Sequence, residues 1–590
     1  MLAQPRASSP VTLDQSASKA FRTEDFVSPY KASYTDLFHK LEVFQWLKSQ
    51  QTDLDSELFR AALSILSPFG EDGRKFLHMW LKNQPCYSAD EINAKFQSSC
   101  SEKPAPATYG TLAGLGFTSD RDLETSPVDE VKKLAHERLL YDHGFVFDEA
   151  KGKLVFNANL FVRGCLRRID LCLVAGAYFC AYHRDGYWVQ LDDLKVSRIL
   201  RDILHEAIPN VWKTSYDKEY MAALRLSVQP VEAMNQNRSF LNLKNGMLNI
   251  ETMELVDHKP SFYSTIRIPI EYRPDAKCPR FEQFLHEIMG GDQERILLIQ
   301  EMMGYFLTAE TTIQKAFFFH GSGANGKSLL AKVITLLCGE ENVANVPLSD
   351  LGTRFGLQNL PDKTLNISTE NEFSEKALNT QMFKAITGGD VVNVEQKYKT
   401  AFSCKLICKL LVLLNTLPQT KDLTHGYFRR LVLIPFNRRF EGEADDKELL
   451  RKLLVELEGI LIFALEGLKR LRSQNYVFTE SSSVNESVEV YRREQNPVIE
   501  FVEDMVRVSP ESRVKRPDIP NVFREWCIAN GHDEWARKDT QAFWSLFRVA
   551  MADRGWEYAT KKVQGTVFLT GLALNQPPQA PNASSVIHFS

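Results

Sequence analysis

The chain has 590 residues, 44% of them hydrophobic and 25% charged, so it is too long for one core and about three to five domains are expected. Its 71 Lys and Arg against 75 Asp and Glu give a net charge of −4, which excludes a global positive field and leaves a local basic channel as the form any nucleic-acid site must take. The ten cysteines are scattered with no C-x-x-C pair, the first thirty residues lack a basic-then-apolar export signal, and no apolar run is long enough to span a membrane; a reducing, cytoplasmic setting without a membrane is expected.

In chain order, residues 1–33 are polar and aperiodic and read as a disordered arm. Residues 34–117 read as a small helical domain, with helices over Tyr34 to Gln50, Leu58 to Leu66, Gly73 to Lys82 and Ser88 to Ser98. A Pro- and charge-marked linker covers 118–127. Residues 128–262 look α+β: two aromatic strands flank the Asp185-Gly186 turn, Val196 to Ala207 is helical, and two short strands flank Asn245-Gly246. Phe281 to Leu307 gives two helices that open a domain over 263–475. The expected fold class is therefore multidomain α/β.

Residues 315–339 read KAFFFHGSGANGKSLLAKVITLLCG and contain Gly321-x-x-x-x-Gly326-Lys327-Ser328, a complete phosphate-binding loop. Ala316 to Phe319 reads as a buried strand before it and Leu329 to Cys338 as a helix after it, stopped by Gly339. In this context the loop residues Gly321, Ser322, Gly323, Ala324, Asn325 and Gly326 turn N–H groups toward a polyphosphate, and the helix N-terminus adds its positive dipole end. Lys327 would reach the β- and γ-phosphates and the Ser328 hydroxyl a Mg²⁺ position, so ATP and Mg²⁺ are the expected cofactors. A glycine-rich turn with a surface lysine is the competing reading, and the flanking strand and helix disfavour it.

The residues beyond the loop narrow the chemistry. KTLNISTENE (363–372) is a short strand ending in two acids; Glu370 is the first choice, and Glu372 the second, for the carboxylate that holds Mg²⁺ and polarises the attacking water. Lys409 to Asn415 is a buried parallel strand ending in an amide, and Asn415 can orient that water or merely open a turn. Arg429 and Arg430, ahead of the strand Val432 to Phe436, suit an arginine finger acting on the next subunit, or a solvated basic pair. Val392 and Val394 alternate before Lys397, Tyr398 and Lys399, a hairpin with two cations and an aromatic that can grip a single strand, or an ordinary solvated hairpin.

This order of motifs resembles the superfamily 3 helicases within the AAA+ ATPases, and most closely the primase-helicases of phages, satellite phages and plasmids and their relatives in large DNA viruses. GSGANGKS, STENE, KAITGGD with KYK, the strand ending in Asn415 and YFRRLVLIPF carry the resemblance over 315–440. FLNLKNGMLNIETMEL, EYRPDAKCPRFEQFL and MMGYFLT extend it backwards, and VEVYRREQNPVIEFVEDMV extends it forwards. By that resemblance Lys327 and Ser328 bind nucleotide and Mg²⁺, Glu370 and Glu372 are the acidic motif, Asn415 the sensor, Arg429 or Arg430 the finger, and Lys397 to Lys399 the DNA grip. The resemblance also implies a homo-hexameric ring that translocates 3′→5′ on single-stranded DNA and serves replication of a mobile element. Members often carry a primase catalytic domain at the front; here residues 34–117 are similar to the small helical domain that follows it, so no primer synthesis is expected and a separate primase or loader is. An origin-binding initiator scaffold, whose ATP site only controls assembly, is the alternative.

Residues 490–575 read as a winged helix. Val498 to Met505 and Val522 to Ala529 are helices, Asp539 caps Thr540 to Asp553, and strands Glu557 to Lys562 and Thr566 to Leu572 flank Gly565. Arg537, Lys538, Arg548, Lys561 and Lys562 are candidate contacts to duplex origin DNA. Residues 576–590 read as a disordered tail.

Overall fold

The computed structural model describes residues 21–369, 379–397, 401–420, 422–440 and 446–575. The described residues divide into two compact units, those within 21–184 and 188–234, and those within 185–187 and 235–575.

The first unit begins with helices α1 (Thr35–Phe38), α2 (Glu42–Ser49), α3 (Glu57–Leu66), α4 (Gly70–Leu81), α5 (Ala89–Glu102) and α6 (Tyr109–Gly114). Ser56, Ser88 and Thr108 accept hydrogen bonds from the N–H groups of Phe59, Glu91 and Thr111, which fixes three of these starts. The stretch expected to be one helix from Tyr34 to Gln50 is broken between α1 and α2. The break lets Leu37, Phe38, Phe44 and Leu47 all enter one core with Phe59, Phe76 and Trp80. α6 lies within the expected helical domain 34–117, beyond the four helices read from the sequence.

Ser126 and Pro127 start α7 (Pro127–Asp142), which leads to the hairpin β1 (Phe145–Asp148) and β2 (Lys153–Phe156) and to α8 (Ala158–Cys165). Strands β3 (Leu171–Val174), β4 (Tyr178–His183), β5 (Tyr187–Leu191) and β6 (Gln229–Val231) form a sheet in the order β5-β4-β3-β6. Helices α9 (Asp193–Ala207) and α10 (Thr214–Ser227) share its core through Ile199, Ile203 and Tyr220.

The second unit opens with the antiparallel strands β7 (Phe240–Leu243), β8 (Gly246–Asn249) and β9 (Leu255–Val256), then α11 (Pro279–Met289) and α12 (Gln293–Phe306). A five-stranded parallel sheet follows: β10 (Ala316–His320), β11 (Val343–Ala344), β12 (Leu365–Ser368), β15 (Lys409–Leu414) and β16 (Leu431–Pro435), in the order β11-β12-β15-β10-β16. Between them run α13 (Lys327–Cys338), α14 (Thr380–Gly388), the hairpin β13 (Val391–Val394) and β14 (Phe402–Lys405), and α15 (His425–Phe428). Alternate strand residues divide between two cores. Phe317, Phe319, Leu411, Leu413, Val432 and Ile434 face one, and Phe318, Val412, Leu414 and Leu433 face the other. Both faces are covered, as near-continuous apolar parallel strands require.

Helices α16 (Leu449–Leu454), α17 (Leu457–Ser473) and α18 (Ser482–Gln495) follow the sheet. α17 lies tight against α12: a Cβ on Gly304 would stand 2.3 Å from the Ala464 carbonyl oxygen, and one on Gly467 2.2 Å from that of Gln300. At this crossing the fully buried Glu301 accepts hydrogen bonds from Arg470 Nε (2.7 Å), Thr479 N (2.7 Å) and Thr479 Oγ1 (2.6 Å). The chain then forms α19 (Val498–Met505), β17 (Val506–Lys515), α20 (Asp518–Ala529), α21 (Asp533–Ala536), α22 (Thr540–Asp553), β18 (Ala559–Val563) and β19 (Thr566–Leu574), with an antiparallel sheet in the order β17-β19-β18. Asp539 accepts the Ala542 N–H and so caps α22, and Gly565 turns the β18–β19 hairpin at φ +83°. Among the described residues no helix is long and apolar enough to cross a membrane.

Candidate functional site

The loop after β10 leaves the carboxyl edge of the sheet where consecutive strands diverge, the position at which open α/β sheets bind ligands. Its glycines are dictated by space. A Cβ on Gly321 would stand 2.5 Å from the Phe436 carbonyl oxygen, and one on Gly326 2.7 Å from Ile288 Cγ2. Gly323 and Gly326 also take φ of +98° and +84°, where side chains are strained. The Phe440 N–H donates to the Ala324 carbonyl at 2.7 Å, tying the loop to the segment after β16. No side chain caps the amino end of α13, so its dipole faces the cavity uncompensated.

Lys327 is 6% exposed and Asn325 3%. The Lys327 ammonium donates to the Gly321 carbonyl (2.7 Å), Asn325 Oδ1 (3.0 Å) and Asn415 Oδ1 (3.4 Å). Asn325 Nδ2 in turn donates to the Phe436 carbonyl at 3.3 Å. The loop lysine and the amide at the end of β15 therefore meet, although 88 positions separate them in sequence. Burial pushes the Lys327 ammonium below its ordinary pKa. His320, at the end of β10, is lowered as well, first by burial and further by the Lys327 charge.

Asn325, Lys327 and Asn415 line a cavity of about 490 Å³, within the range of small-molecule sites. One wall is Gly323 to Leu329, with Thr369 and Asn415. The other is a face of α11 carrying Arg280, Phe284, Glu287 and Ile288, joined by Phe440, Asp446 and Leu449. Ser328 lines it in the first turn of α13. The α11 contribution has no signal in the sequence: its spacing marks a helix face without saying what that face meets. Asn325 is legible only as a loop position, and its two hydrogen bonds are not.

Thr369 lines the cavity at the end of β12, beside β15. Glu370 and Glu372, expected next in sequence, lie outside the described residues, as do Tyr398 and Lys399. Lys397 is exposed at the end of the hairpin strand, and Val392 and Val394 face the core as their alternation implied.

Arg429 and Arg430 stand at the opposite edge of the sheet. Leu431 pairs with Ala316 and Pro435 with His320, so a full strand, roughly 17 Å, separates them from their own loop. Arg429 is exposed, and its Nη2 donates to Gln314 Oε1 at 2.6 Å. Arg430 is half-buried and donates to the Gly426 carbonyl. Lys315 completes the cluster, donating to the Arg429 carbonyl at 2.7 Å; burial and the Arg429 charge depress its pKa, and the same two causes lower Arg430.

Residues 165–290 match the D5 N terminal like family, and residues 319–430 match a family of unknown function (DUF5906). Among curated proteins the chain is similar to "Putative helicase L207/L206" of Acanthamoeba polyphaga mimivirus, 21% identical over 375 residues, which is 58% of this chain and 38% of that protein. It is also similar to "Putative helicase 022R" of Frog virus 3 (isolate Goorha), 24% identical over 281 residues, 44% of this chain and 27% of that protein. The chain thus spans well under half the length of the curated relatives it matches. Among solved structures it is similar to the apo structure of the NrS-1 C terminal region, with a TM-score of 0.43 and 14% identity over 71% of this chain and 100% of that one. The D5 N terminal like match and the viral putative helicases make the chain similar, over these stretches, to proteins of the phage and viral primase-helicase family.

Proposed function

We propose that the chain is an ATP-hydrolysing DNA helicase of superfamily 3, built on an AAA+ core, that acts as a homo-hexameric ring on single-stranded DNA during replication of a phage, plasmid or other mobile element. The observation that carries this reading is the convergence of Lys327 and Asn415 on a glycine-built cavity at the carboxyl edge of a parallel sheet. Numbered within the sheet, the strands run 5-1-4-3-2 from the β16 edge, which sets the loop strand beside the strand that ends in the amide. With nucleotide bound, the Lys327 ammonium exchanges its three oxygen partners for phosphate oxygens. Asn415 is then free to orient the attacking water. The cavity suits a nucleotide: a glycine cradle with no room for a Cβ at Gly321 or Gly326, a helix N-terminus, and an apolar wall of Phe284, Ile288 and Leu449 for the base. Mg²⁺ would be held by Ser328 and by Glu370, and would neutralise phosphate charge when bound.

Arg429 is our choice for the finger. It is exposed, with one side-chain hydrogen bond, to Gln314, whereas Arg430 is half-buried and anchored to the Gly426 carbonyl. Neither reaches its own loop across the sheet, which supports action on a neighbouring subunit. The hairpin bearing Lys397 would grip DNA, and 3′→5′ movement follows from the family resemblance. The helix-strand-helix-helix-helix-strand-strand order of 498–575 supports a winged helix. Its exposed Arg537, Arg548, Lys561 and Lys562 would meet duplex phosphates at an origin, while Lys538 is drawn over the Trp535 ring, 3.1 Å from its centroid.

The test is ATP-dependent unwinding of a forked DNA duplex, wild type beside Lys327→Ala. Separation by wild type alone supports the motor. Hydrolysis by wild type without unwinding would instead support an assembly switch at an origin.

A further inference from the structure

The unit formed by the described residues of 21–184 and 188–234 holds a second cleft, of about 210 Å³, between the segment 29–33 and helices α7 and α8. It exists because α8 presses on the end of α7: a Cβ on Gly164 would stand 1.9 Å from the Asp142 carbonyl oxygen. That approach brings Arg167 and Arg168 beside Arg138 and Asp142, and Lys31 closes the rim.

The charges divide into spent and unspent. Arg168, 10% exposed, donates from Nε to the Ser28 carbonyl (2.9 Å) and from both terminal nitrogens to Glu206 (2.7 and 2.8 Å). Burial alone would raise the Glu206 carboxyl, but hydrogen bonds from His143 and Arg168 hold it down at about 2, so Glu206 stays ionised and cancels Arg168. Arg167 gives one hydrogen bond, Nη2 to Asp142 Oδ1 at 2.7 Å, and keeps four N–H donors. Arg138 stands 3.5 Å from Asp36 and 3.9 Å from Asp142, both too long for strong hydrogen bonds. Lys31 is exposed and has no ion pair among the described residues. Four cations therefore meet Asp142, Glu206 and Asp36, leaving a surplus of about one positive charge and many unused donors.

We propose that this cleft binds one backbone phosphate of a single nucleic-acid strand. A phosphodiester carries one negative charge and matches the surplus, whereas a nucleoside triphosphate carries several. The space is less than half that of the Lys327 cavity and takes a phosphate with its sugar, not a whole nucleotide with Mg²⁺. The donors sit in a concave cleft, which a single strand can enter and the convex backbone of a duplex meets poorly. In a chain of net charge −4, such a site must be local, and this one is.

The test is anisotropy of a labelled oligothymidylate with the full chain, without nucleotide, across a salt series. The Lys31→Ala/Arg138→Ala variant should bind more weakly, with a slope of log K against log salt shallower by about 0.7, one phosphate contact's worth for a single strand. Asp36→Asn, at a 61% exposed side chain, frees Arg138 and should tighten binding, a gain that loss of structure does not produce. Nucleotide hydrolysis without DNA should match wild type in both variants, which separates failure here from failure at the Lys327 site. Unchanged affinity and slope in a folded double variant would overturn the proposal. So would an equal loss on blunt duplex, or displacement of the oligonucleotide by thymidine monophosphate at equal concentration of phosphate groups.

Discussion

Gly326→Ala isolates what the α11 wall does for the phosphate loop. At φ +84° an alanine carries left-handed strain of about 1–2 kcal/mol. Its Cβ would also lie 2.7 Å from Cγ2 of Ile288, a β-branched side chain 2% exposed on α11 and therefore stiff. Overpacking of this kind costs about 1–3 kcal/mol. Together the terms come to roughly 2–5 kcal/mol, or a 30-fold to several-thousand-fold loss in nucleotide affinity if the loop must deform to relieve them. The assay is titration with a fluorescent ATP analogue in a cycle of wild type, Gly326→Ala, Ile288→Ala and the double variant. Removing Cγ2 relieves the clash but not the strain, so the double variant should recover about 1–3 kcal/mol relative to additivity. Additive effects would refute the reasoning, because they would mean that α11 does not set the loop's shape.

Arg429→Ala should lower ATP turnover by about 10³-fold, out of proportion to its fraction when doped into wild type, as a finger acting between subunits requires; Arg430→Ala should act chiefly on stability, and a linear doping curve would contradict the assignment. Lys409 is 3% exposed, donates to the Thr308 carbonyl and stands 5.1 Å from the Tyr305 ring centroid, and burial lowers its pKa from 10.5 to about 7. Between those values the unfolded chain binds a proton that the fold does not, so stability rises with pH, by on the order of 1 kcal/mol per unit. Urea denaturation at pH 7 and pH 9 should show wild type gaining on Lys409→Met as pH rises; a constant difference would place the charge in water. Truncation after Asn496 should abolish origin-duplex binding and spare hydrolysis, and retained binding in a gel-shift assay would remove the winged-helix reading.

The point of truncation shows where sequence reading stops. A cut at 490, the boundary that composition suggests, would remove Tyr491, whose hydroxyl donates to the Pro418 carbonyl at 2.5 Å and whose ring lies 5.9 Å from that of Phe428. It would also remove Gln495, which accepts the Thr420 N–H at 3.0 Å. α18 thus braces the loop after Asn415 and the helix before Arg429, while Arg492 pairs with Asp553 and Arg493 with Glu503 in the last domain. None of these links has a local signature. The legible features are those fixed by neighbours in sequence: the glycine loop, the cap at Asp539, the turns at Asp185-Gly186 and Gly565, and the apolar runs Ala316 to Phe319 in β10 and Leu410 to Leu414 in β15. β17 escapes sequence reading because VRVSPESRVK is polar, contains Pro510 and carries a register shift between Ser509 and Arg513, all tolerated on the edge strand it forms. The same limit governs the site. Lys327 is announced by its motif, but its hold on Asn415, the wall of α11 and the brace of α18 depend on where distant elements pack. A cut or substitution chosen from local sequence alone would therefore disturb hydrolysis and DNA binding together, and only variants placed by the packing can separate them.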